Sequence, residues 1–241
     1  MSDSNMKEQM DDYSGPFRNN VTLEDFSREG LKKLVQIGGV IYGNLDRQWH
    51  ERVTKKYGVE VADALHHDVW FADGGVGDTE NYFIADVMKF ADQDELTTPL
   101  KVWQCLPAMI GHMELTFERI SDTEVQMYTP RCFVPETGEK EGPEVMKFMV
   151  NKICSHLELF GFRHGAARWN PKIRIDPLKL PPRRDANEPH CRWTIKMTDE
   201  VVDYVAQPGP YVEKHNLQRD TDAEIVTVQE GGKYLGGRKA L

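Results

Sequence analysis

Three kinds of side chain in this sequence could do chemistry: thiols, imidazoles and carboxylates set among aromatic residues. Cys132 ends a predicted strand, Cys154 lies on the helix predicted after it, and Cys191 begins the last predicted strand. In a β-β-α-β-β arrangement those three places can converge. Three thiolates with one Glu, His or water would suit a tetrahedral zinc or an iron ion. No CxxC pair is present, and small free cysteines are common in protein cores. The spacing therefore leaves open a metal site or three core residues.

The sequence has eight histidines. Neutral imidazole can serve as a general base near neutral pH, or it can be a hydrogen-bonded structural group. His66 and His67 are adjacent, so on a helix they point about 100° apart and cannot serve one site together. His67, near a Val-Trp pair, and His112, at a helix–strand junction, are the candidate catalytic histidines. Asp46 is the candidate acid: it could orient a base or a ligand, or pair with Arg47 or Arg52. Trp49, Trp70 and Tyr42 could line an apolar ligand pocket or simply fill a core. Arg131, with Arg163, Arg168 and Lys172, could hold a substrate carboxylate or a CoA phosphate.

Positioning those residues requires a predicted order of elements. Thr22 and Asp25 form a reciprocal capping pair at the head of a helix. Apolar residues then recur at helical spacing from Phe26 to Trp49. Gly38, Gly39 and Gly43 interrupt this run, each costing about 1 kcal/mol relative to Ala. Close helix packing accounts for such glycines; a backbone approach to a ligand is the alternative. Further helices are expected over 60–71, 79–91 and 95–110, with a Gly-rich turn at 73–78 and a bend or stop at Pro107. The period then changes to two. Segments 112–119 and 124–131 read as a hairpin, 143–161 as a helix stopped by Gly161, and 165–175 and 190–198 as strands. The expected fold is α+β, with N-terminal helices packed on a C-terminal β-β-α-β-β antiparallel sheet. Residues 1–20 read as a flexible or partner-binding arm and 21–206 as one domain, its helical half 21–111 and its sheet half 112–206. Residues 207–241 read as an extended tail that could wrap a neighbouring subunit.

Composition narrows the classes. Hydrophobic residues make up 39% and charged residues 29% of 241, which suits a globular chain. A net charge of −9 gives no general attraction to phosphate backbones or anionic lipid. No apolar run approaches the roughly 20 residues of a membrane span, and the first residues, MSDSNMKEQMDDYSG, are polar and acidic rather than signal-like. A cytoplasmic protein with no nucleic-acid or membrane partner is the expectation. No P-loop, G-x-S-x-G, H-E-x-x-H or dinucleotide fingerprint occurs, so no nucleotide cofactor is indicated.

The segment LDRQWHERVTKKYGVEVADALHHDVW, from Leu45 to Trp70, resembles the N-terminal motif of an uncharacterised bacterial family related to L-2-amino-thiazoline-4-carboxylic acid hydrolase. Arg131-Cys132, Cys154, NPKI at 170–173, Pro181-Pro182 and CRW at 191–193 are similar to the same family, whose C-terminal half resembles a vinyl-reductase-type ligand-binding domain. The resemblance spans roughly residues 22–200. It implies a small-molecule pocket between helices and sheet, with cysteines that can hold a structural zinc beneath it. Where that family carries a CxxC before two prolines, this sequence has Pro177-Leu178-Lys179-Leu180, so two ligands of the pattern are absent. The functional expectation is a hydrolase- or lyase-type enzyme acting on an organic acid or its thioester. The alternative is a non-catalytic ligand-binding or accessory subunit of a larger enzyme complex. Either would be a homo-oligomer or complex member assembled through the terminal arms.

Overall fold

A computed structural model describes residues 9–71, 75–90 and 94–202. The start of the arm, most of the Gly-rich turn's opening and the tail expected at 207–241 lie outside the described residues. Thr22 and Asp25 do make the reciprocal cap, but it closes a short 3-10 turn, Leu23–Asp25. The long helix α1, Arg28–Tyr57, starts later, where the Ser27 side chain accepts from the Gly30 N–H. The end of the arm is tied to this start. Met10 donates to the Asp25 carbonyl and accepts from the Ser27 N–H, both at 2.9 Å.

Gly58, at φ 94°, ends α1 and lets α2, Val59–Phe71, fold back at once. A short helix α3 (Val76–Asp78) runs into a π-helical turn, Thr79–Phe83, and then α4 (Ile84–Val87). Helices α5 (Thr97–Cys105) and α6 (Pro107–His112) follow. The expected break falls at Pro107: α5 ends at Cys105, Leu106 is extended, and Pro107 opens α6 at its first turn, where a missing N–H costs nothing.

Strands β1 (Met113–Ser121) and β2 (Glu124–Cys132) form the expected hairpin. Helix α7 (Phe133–Glu141), a segment left unassigned by the sequence pattern, comes next. Helix α8 (Pro143–Met149), a π-helical stretch Val150–Leu157 and α9 (Glu158–Ala167) then run on without a break. Gly161 therefore does not stop the helix, and the third strand starts later than expected: β3 is Ile173–Lys179 and β4 is Cys191–Met197. Packing overrides the stop signal, because Phe162 and Ala166, beyond Gly161, are buried in the core.

The sheet is antiparallel throughout, in the order β1-β2-β4-β3. The α+β expectation holds. The inner face of the sheet places Val125, Met127, Ile173, Ile175, Trp193 and Ile195 against the helices. Trp103 on α5, Phe162 on α9 and Trp193 on β4 meet edge to face at 5.0 and 5.4 Å. Arg163, also on α9, is buried and pins that helix to the sheet. Its Nε donates to the Ile175 carbonyl and its Nη2 to Asp176 Oδ1, each at 2.8 Å.

Candidate acid–base site in the helical half

The hairpin of α1 and α2 sets one face of α1 against one face of α2. Tyr42 and Asp46, four apart, share a face of α1, as do His66 and Trp70 on α2. Asp46 Oδ1 accepts from His66 Nε2 at 2.8 Å and from Trp70 Nε1 at 3.0 Å. Burial pushes the Asp46 carboxyl up, but the His66 and Trp70 hydrogen bonds and the His66 and His50 charges outweigh it, leaving the group below its usual range. When His66 is neutral, an ionised Asp46 holds its proton on Nε2 and leaves the lone pair on Nδ1. Asp46 does not pair with Arg47 or Arg52: Arg47 reaches Glu51 and Asn44, and Arg52 reaches Gln48. Trp49 stacks on His66 at 6.1 Å, and the His50 ring meets it at 5.4 Å. His50 Nε2 is itself held by Asp63 at 2.6 Å.

The π-helical turn completes the group. Tyr42 donates its hydroxyl to Glu80 Oε1 at 3.0 Å and meets the Trp70 ring edge-on at 5.9 Å. Burial pushes Glu80 up to about 7, and the charge of Asp46 adds to this; the Tyr42 hydrogen bond opposes it. The Tyr42 phenol is raised by burial and by Glu80. Such single π turns occur disproportionately at functional sites. The result is a carboxyl raised to about 7 and linked through Tyr42 and Trp70 to a carboxylate-oriented imidazole, two groups able to move protons.

His112 approaches α1 from the other side. A Cβ on Gly43 would lie 2.0 Å from His112 Nε2, and one on Gly39 would lie 2.2 Å from the Pro107 carbonyl and 2.8 Å from the Gly111 Cα. Close helix packing thus accounts for these two glycines. His112 Nε2 is buried and has no hydrogen-bond partner among the described residues. His67 points away from Asp46 into Phe71 and Phe160, whose rings lie 5.2 Å from it. Arg131 is exposed and lies 3.6 Å from Glu136. Of the other basic candidates, Arg163 serves the core and Arg168 pairs with Asp78 at 2.7 Å. The structure therefore brings together Asp46, Trp70, Tyr42 and Trp49, and leaves His67 and Arg131 elsewhere. His66 and Glu80 are the members that sequence reasoning missed. The signal for His66 was its spacing of four from Trp70. Glu80 had none, because its value depends on a π turn.

The three cysteines converge under the sheet. Cys132, Cys154 and Cys191 are all buried thiols, and Cys154 is hydrogen-bonded to Cys191. That bond and burial push Cys154 well up, while burial and the nearby Glu158 raise Cys132. Burial also pushes Glu158 up to about 7, although the residue as a whole is only half-buried. Three thiols and a carboxyl are a donor set that zinc or iron accepts chemically. Among the described residues, however, no group of three or more His, Cys, Asp or Glu side chains is arranged to hold a metal ion.

No family model matches the chain, and no curated protein matches it. A solved structure from work probing heme distortion in the H-NOX family aligns over 78% of this chain and 80% of that one, at 12% identity and a TM-score of 0.34. No helix among the described residues is long and apolar enough to cross a membrane.

Proposed function

We propose that this chain is a small-molecule enzyme of hydrolase or lyase type, with its proton-transfer groups in the helical half. The observation that carries the reading is the pairing of Glu80, poised near 7, with the Asp46–His66 dyad across the Tyr42 and Trp70 rings. In this reading His66 Nδ1 takes a proton as base and Glu80 returns one as acid. The Tyr42 and Trp70 donors hold the two carboxylates apart. An organic acid or its thioester is the proposed substrate class, resting on the sequence resemblance from Leu45 to Trp70.

Cys132, Cys154 and Cys191, with Glu158, are proposed as a structural zinc or iron centre on the chemistry of their donors alone, and binding would have to draw the four side chains together from the arrangement described. No proton transfer is routed through it. Elemental mass spectrometry on wild type and on Cys132→Ser and Cys191→Ser tests this part: near-stoichiometric metal lost in both variants supports it, and metal-free folded wild type overturns it.

The test of the catalytic reading is consumption of organic acids and their thioesters, followed by NMR, for wild type, Glu80→Gln and Asp46→Asn. Turnover that falls at least about tenfold in both folded variants supports it, since general acid–base groups contribute 10²–10⁴-fold. Equal turnover in all three overturns it. No turnover by the isolated chain, with co-purification of a larger enzyme, would favour an accessory subunit instead.

A further inference from the structure

Gly38 packs against nothing among the described residues. Gly39 and Gly43 accommodate α6, but a Cβ on Gly38 would meet nothing within 4 Å. Gly38 also sits in the middle of an apolar stripe. Leu31, Leu34, Gly38, Ile41 and Leu45 follow one another at alternating spacings of three and four, the repeat of a helix that packs along another helix. Val35 and Ile37 flank the stripe. Every one of these side chains is exposed, with Ile41 at 62% and Leu45 at 67%. The positions that border the seam, 30, 35, 37, 42 and 44, carry no charge. Lys32, Lys33 and Arg47 lie around the far side of the helix.

We infer that this face of α1 is the interface for a second copy of the chain, packed antiparallel across a two-fold axis. The stripe is complementary to itself. In an antiparallel pair the two kinds of seam position face each other, which sets Ile41 of each copy over Gly38 of the other and Leu34 over Leu45. Each large side chain at the centre thus enters the space left by a glycine. The uncharged border brings no like charges together when the copies meet. The exposed aliphatic chains of α1 offer roughly 600 Å² per protomer, near the ~800 Å² per partner of a standard interface. This inference is independent of the acid–base reading.

Sedimentation velocity of the full chain at micromolar concentration tests it. Wild type is expected to sediment as a dimer. Ile41→Glu is expected to give a monomer with unchanged circular dichroism. Gly38→Ile alone, which sets two large residues against each other, is expected to weaken association at least tenfold. Adding Ile41→Gly to Gly38→Ile restores one large and one small residue at each central layer and is expected to recover the dimer. A monomeric wild type would overturn the inference. So would a dimer indifferent to Ile41→Glu, which would place the interface elsewhere, or a Gly38→Ile dimer as tight as wild type.

Discussion

Tyr42 donates its phenolic hydrogen to Glu80 across 3.0 Å, joining the middle of α1 to a π-helical turn nearly forty residues away. This bond is among the influences that lower the Glu80 pKa, against the larger effect of burial. Tyr42→Phe should therefore drive Glu80 further up. A stability or activity limb near pH 7 should move to higher pH in that variant, and an unmoved limb would separate Tyr42 from the titration.

Folding favours the proton on Glu80, because the carboxyl sits at about 7 in the folded chain against an ordinary 4.5. Its contribution is fully present below about 4.5 and is lost as pH rises through about 7. The loss is on the order of 3 kcal/mol at most. Urea denaturation at pH 5 and pH 8 should show this decline in wild type and a flatter profile in Glu80→Gln.

Asp46 has the opposite sign. Its folded carboxyl lies below the ordinary value, so its stabilisation is present above about 3.8 and disappears as pH falls through the folded pKa. Asp46→Asn should cost about 2 kcal/mol near neutrality, the scale of hydrogen bonds to a charged group. The Trp70 indole loses its charged acceptor in the variant, so its fluorescence should shift as well.

Arg163→Met should destabilise the fold by about 3–5 kcal/mol. It strands the Ile175 carbonyl and leaves Asp176 without its buried partner. Thermal melting measures this, and a loss below about 1 kcal/mol would show that Arg174, which also reaches Asp176, suffices alone.

Gly39→Ala sets a methyl group against the Pro107 carbonyl and the Gly111 backbone, neither of which can rotate away. Overpacking of roughly 1–3 kcal/mol should exceed the ~1 kcal/mol gained in helix propensity. A stabilised Gly39→Ala would mean that α6 shifts freely against α1.

The hairpin and the α+β order of the chain were legible because each rests on a local signal: period-two alternation, turn residues, apolar residues at helical spacing. The extension of the 143 helix past Gly161 was not. What holds it is the burial of Phe162 and Ala166 against strands remote in sequence. In the site, Asp46 and Trp70 were found through a motif on α1 and α2, and Tyr42 as an aromatic residue that could line a pocket. The choice between His66 and His67 turned on helix phase, and an adjacent pair does not reveal which ring faces the neighbour. Glu80 became visible only once a π turn rotated it toward Tyr42. His190, fully buried beside Cys191 with neither ring nitrogen hydrogen-bonded among the described residues, drew no notice in the sequence.

The strand order leaves β1 and β3 as the outer strands of an open sheet. A bare rim of amide groups invites a foreign strand to zip onto it. Here both rims are poor templates. β3 carries Pro177, which has no hydrogen to offer, and its register shifts before Lys179. β1 slips register twice along its length and bears Glu114, Glu118 and Arg119. The sequence of both outer strands thus opposes growth of the sheet, and a fibril seeded on this half would first have to break the strands apart.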